Sequence, residues 1–110
     1  MKVSNMTNEQ LDHWVAKAQG WKYRDLSNPL WLGEMPNGGI EASDYSPTTN
    51  WEQCGELIEK YQIGLIVPET HWVAELFKTG KPKVYAEAQN PRTAICRAVV
   101  ASVFGEEVSE

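Results

Sequence analysis

The stretch IGLIVPETHWVAELFKTGKPKVYAEAQNPRTAICRAVVASVFG, residues 63–105, decides the fold. Its opening, IGLIVP, is a short apolar run ended by Pro68, which cannot donate to a ladder, and reads as a strand. HWVAELF and KVYAEA read as two more strands, and KTGKP between them as the turn of a hairpin. A helix follows. Asn90 is placed to cap it, Pro91 suits its first position, and Gly105 ends it. Ala94, Ile95, Ala98, Val99, Ser102 and Val103 leave this helix apolar over most of its circumference, so it should pack centrally.

Upstream of these strands, residues 50–62 carry Trp51, Cys54, Leu57, Ile58 and Tyr61 at helical spacing. That pattern predicts a helix whose stripe, Trp51 included, enters the core. Either Thr49 with Glu52 or Asn50 with Gln53 has the spacing of a capping box. Further back, Thr7 and Gln10 form another such box, with Met6 and Leu11 placed for a hydrophobic staple. Leu11, Trp14, Val15 and Ala18 then give an apolar face that Gly20 terminates. Residues 21–49 mix aromatics with turn residues, and extended pieces are expected near Leu30–Gly33 and Ile40–Ala42. Trp21, Tyr23, Trp31 and Tyr45 are expected to anchor this segment by burial. The order predicts an α+β fold: a small single domain with an antiparallel sheet of three strands, or slightly more, against about three helices. The acidic tail, residues 106–110, is expected to fray.

The chain of 110 residues suits one domain, and 42 % hydrophobic with 23 % charged residues is an ordinary globular balance. A net charge of −5 argues against a nucleic-acid binder, which usually shows a basic face. Cys54 and Cys96 form no CxxC pair and read as free, buried thiols in a reducing compartment. MKVSNMTNEQ has no hydrophobic signal core, and no apolar run is long enough for a bilayer, so a cytoplasmic location is expected.

YSPTTNWEQCGELIEKYQI, then Trp-Val-Ala after a strand, then NPRTAICRAVVASVFGEEV resemble the NinX-like family of small proteins from lambdoid phages and related prophages. The resemblance runs from about Leu11 to Val108. Its most specific parts are Tyr45-Ser46-Pro47-Thr48 with Trp51, and Arg97 to Ser102 followed by Phe104-Gly105. Cys54-Gly55 stands where the family tends to show a Gly pair, and Arg92 where it often reads Thr-Pro. The resemblance implies a phage or prophage origin and brings no mechanism.

No spacing joins a nucleophile (Cys54, Cys96, Ser46) to a base (His13, His71), and no GxSxG or HExxH occurs. An enzyme is therefore not expected, nor a cofactor or metal. His71 reads as a surface or strand-edge hydrogen-bonder. Two helix N-termini attract more notice, because such ends suit anions. One gathers Tyr45, Ser46, Thr48, Thr49, Asn50 and Trp51; the other holds Arg92 and Thr93, with Trp31 as a further aromatic wall. Aromatics beside hydroxyls and an Arg fit a small anionic, nucleotide-like host molecule, sequestered as an anti-defence sponge. The structural alternative is that the same residues merely cap helices. A rival function is a protein-binding inhibitor or adaptor presenting Trp21 and Trp31 to a host protein. A third follows from the order helix, three strands, helix, which is that of a double-stranded-RNA-binding domain. For that role the last helix offers only Arg92 and Arg97, with Lys78, Lys81 and Lys83 near the turn. The partners to test are thus a small anionic ligand, a host protein and a second copy of the chain; nucleic acid and membrane are not expected.

Overall fold

The computed structural model describes residues 1–20, 46–67, 70–76 and 83–108, and the backbone of three strands between 22 and 43. A short 3-10 turn, Val3–Asn5, leads into helix α1, Asn8–Ala18. The box at its start is complete: Thr7 Oγ1 accepts from the Gln10 amide at 3.2 Å, and Gln10 Oε1 accepts from the Thr7 amide at 2.9 Å. Met6 and Leu11, the two staple positions, are both buried in the core.

Strands β1 (Lys22–Asp25), β2 (Asn28–Glu34) and β3 (Ile40–Ser43) form one antiparallel sheet. The two extended pieces read from the sequence fall within β2 and β3. Strand β1 is an addition; at four residues, three of them polar or charged, KYRD carries no strand pattern of its own. The anchoring role assigned to Trp21, Tyr23, Trp31 and Tyr45 concerns side chains outside the described residues.

Helix α2, Trp51–Tyr61, ends on Gln62 in the left-handed region at φ 54°. Strands β4 (Gly64–Ile66), β5 (Trp72–Leu76) and β6 (Val84–Ala88) make the second antiparallel sheet, in that order. Helix α3, Pro91–Phe104, packs on β5 and β6 and meets α1 and α2. Its run Thr93–Cys96 and the run Ala98–Val100 are buried, so it is the central helix, as its all-round apolar sequence requires. Gly105 closes it at φ 91°, a conformation that a Cβ would strain. The core is built mainly from Leu11 and Val15 of α1, Leu57 of α2, Leu76 of β5, and Ile95 and Val99 of α3.

Two expectations change. The chain beyond Gly105 is tied down rather than frayed. The Val3 amide donates to the Glu106 carbonyl, the Val108 amide to Met1, each at 2.9 Å, and Val108 is 4 % exposed. The apolar Val108 is what holds it, a single buried side chain that the acidic composition of the tail conceals; residues 109 and 110 lie outside the described set. Trp51 does not enter the core but stands 50 % exposed. Pro47 and Thr48, fully buried just ahead of α2, fill the interior there instead.

Candidate functional site

The segment before α2 is a tight turn held by its own polar groups. The amides of Thr49 and Asn50 both donate to the Ser46 carbonyl at 3.0 Å, and the Thr49 hydroxyl donates to it at 3.3 Å. Asn50 caps α2, its Oδ1 accepting from the Gln53 amide at 3.1 Å. Of the two capping pairs the sequence allows, the structure uses Asn50 with Gln53. Gln53 Oε1 does not return to the cap, though; it accepts from the Ser46 amide at 2.8 Å and closes the turn.

Thr48 is 1 % exposed, so its polar groups need partners inside the protein. Asp12 of α1 supplies them: Oδ1 accepts from the Thr48 amide at 2.9 Å and Oδ2 from its hydroxyl at 3.0 Å. The Thr48 carbonyl accepts from Arg92 Nε at 3.1 Å. Arg92 is the second residue of α3, and its own amide donates to the cap Asn90 at 2.9 Å. From there its guanidinium lies over the Trp51 ring, 4.8 Å from the centroid, in a cation–π contact. Four elements thus meet at one point: α1 through Asp12, the turn through Thr48, α2 through Trp51 and α3 through Arg92.

Beneath this point the thiols of Cys54 and Cys96, one from α2 and one from α3, are fully buried and hydrogen-bonded to each other. The thiol–thiol bond splits their acidities. As the acceptor, with the positive charge of Arg92 nearby, Cys54 is lowered from its ordinary value. Cys96 donates, and that bond together with burial pushes it well above the ordinary value.

Of the residues singled out from sequence, Thr48, Trp51 and Arg92 come together, with Ser46, Thr49 and Asn50 shaping the turn beside them. Thr93 turns away to α1, where its hydroxyl donates to Asn8 Oδ1 at 3.1 Å. Tyr45 lies outside the described residues. Of Trp31 only the backbone is described, in register with Tyr23 on β1 and Ser43 on β3. Asp12 was not anticipated. It lies next to Leu11 on the flank of an amphipathic helix, where an acidic residue has no distinguishing signal, and its partner is 36 positions away. His71 sits at a strand edge, with Thr70 Oγ1 3.2 Å from Nδ1 and Glu87 3.6 Å from Nε2. Among the described residues no three metal-binding side chains gather, and no helix is long and apolar enough to cross a membrane.

Fold and cluster together define a small α+β protein with an exposed Trp–Arg pair where the N-termini of two helices meet. The family model described as Bacteriophage P22, NinX matches residues 2–103, and the chain belongs to that family. It is a phage accessory protein, as the resemblance in the turn and the last helix implied. A comparison with curated proteins gave no match.

Proposed function

We propose that the protein is a non-enzymatic binding protein that engages a host protein through the Trp51–Arg92 pair. One observation supports this reading above others: a half-exposed Trp ring with a guanidinium laid across it. Trp and Arg are the side chains that most often dominate the centre of a protein interface. The surface differs from the one the sequence suggested for such a partner, Trp21 and Trp31, whose side chains lie outside the described residues.

The sponge reading asked the turn to offer donors to an anion. Those donors are engaged internally: the Ser46 amide by Gln53, and the Thr48 amide and hydroxyl by Asp12. The Asp12 carboxylate also sets a negative charge behind the turn, which disfavours a phosphate. The small anionic ligand stays as a second reading on Arg92 alone. Among the described residues its guanidinium donates one hydrogen bond, from Nε, and both terminal amino groups are left for an acceptor.

The test is a photo-reactive amino acid at position 51, expressed during phage growth, with affinity measured for whatever host protein it captures. Trp51→Ala is expected to weaken that complex by about 2 kcal/mol or more, roughly thirtyfold. An unchanged affinity would remove Trp51 from the interface. Native mass spectrometry of the purified protein decides the second reading: a co-purifying anion that Arg92→Ala releases would favour a small-molecule role instead.

A further inference from the structure

The side chain of Arg92 is fixed at two points on the protein's own residues. Nε donates to the Thr48 carbonyl at 3.1 Å, and Cζ stands 4.8 Å from the centroid of the Trp51 ring. Thr48 is itself buried and anchored by both oxygens of Asp12. Much of the rotamer entropy that an arginine loses on binding is therefore already lost in the unbound chain. A carboxylate can meet a guanidinium side-on, through Nε and one amino group, or end-on, through both amino groups. Nε is taken, so only the end-on approach remains. Among the described residues neither amino group makes a hydrogen bond, and no carboxylate is ion-paired with Arg92.

The donors that remain identify what fits. Every amide of the turn is spent: those of Thr49 and Asn50 on the Ser46 carbonyl, that of Ser46 on Gln53 and that of Thr48 on Asp12. Two parallel amino groups match the two oxygens of a carboxylate. A phosphate would bring a further oxygen that the turn cannot serve. Asp12 behind the turn and the exposed Glu52 beside Trp51 also weigh more heavily against a double charge than against a single one. A fork of this kind contributes little in open water, and more where apolar cover excludes water from it. The half-exposed Trp51 ring is the surface on which such cover can sit. With a net charge of −5 the chain repels a run of acidic residues, so the carboxylate should stand alone among apolar neighbours.

We propose that Arg92 receives a single Asp or Glu carboxylate of the partner protein, end-on through both amino groups, while an apolar side chain next to that acid covers Trp51. The inference rests on the reading of Trp51 and Arg92 as the interface and names what the partner presents to it.

Selection of a random dodecapeptide library on the full chain, with counter-selection on the Trp51→Ala chain, tests it. The enriched peptides should share one Asp or Glu flanked by an apolar residue. Changing that acid to Asn or Gln should weaken binding to the native chain roughly tenfold or more, and should leave binding to the Arg92→Gln chain unchanged. The change on the peptide needs no protein variant, so it decides the matter even if Arg92→Gln fails to fold. Phosphoserine in place of the acid should bind no more tightly. Trp51-dependent peptides without an acid, an acid whose amide binds equally well, or tighter binding of phosphoserine would each overturn the carboxylate assignment and leave the Trp51–Arg92 interface standing. No enrichment over the Trp51→Ala chain would remove that interface, and this inference with it.

Discussion

Asp12 acts as two acceptors for one residue. Removing its side chain by Asp12→Ala leaves the buried amide and hydroxyl of Thr48 without partners, and urea unfolding should show a loss of about 1–3 kcal/mol. Trp51 should behave in the opposite way for stability. Trp51 is already 50 % exposed, so Trp51→Ala should lower stability by less than about 1 kcal/mol, whereas Leu57→Ala on the buried face of the same helix should cost about 2–5 kcal/mol. Equal losses would mean that the ring packs as the sequence pattern suggested. These two residues also mark what sequence makes legible at this scale. Thr7 with Gln10, and Asn90 with Pro91, act on neighbours within a turn, so their roles can be read directly. Asp12 acts on a residue 36 positions away, and Trp51 sits outside because Pro47 and Thr48 occupy the interior, which no local period encodes.

At the scale of elements, α2 and α3 are joined by a thiol pair whose protonation follows pH. The thiol of Cys96 is raised well above its ordinary value of 9.0 by its bond to Cys54 and by burial. A group raised on folding binds more protons in the native than in the unfolded chain above the unfolded value, so its stabilisation is complete below pH 9 and is lost as pH rises beyond it. Cys54, lowered by the same bond, works in the opposite sense below its ordinary value. Cys96, raised by its bond to Cys54 and by burial, should make stability fall above pH 9, and Cys96→Ala should flatten that fall relative to the native chain. Parallel curves for the two proteins would refute the assignment. The strands β4, β5 and β6 and the central helix were readable from periodicity and caps. Strand β1 was not, because a short, polar edge is recruited by its neighbour β2 rather than by a pattern of its own.

For the molecule as a whole, the first and last described segments form one bridge, Lys2 opposite Glu107, over the end of α3. Deleting residues 106–110 would remove Val108 from the core and uncover Val3, a loss of about 1.5–3 kcal/mol for each valine that leaves the interior. Calorimetry should then show melting lowered by roughly 12–25 degrees. An unchanged melting temperature would mean that the bridge adds nothing to folding.

The buried thiol pair also makes the chain report its own opening. Neither sulfur touches solvent, so an alkylating reagent reaches them only when α2 separates from α3. If both are uncovered in one cooperative event, intact mass should jump by two adducts with no singly modified species accumulating. At reagent levels where modification outpaces reclosing, the rate of that jump is the unfolding rate of the native protein, read without denaturant, dye or engineered label.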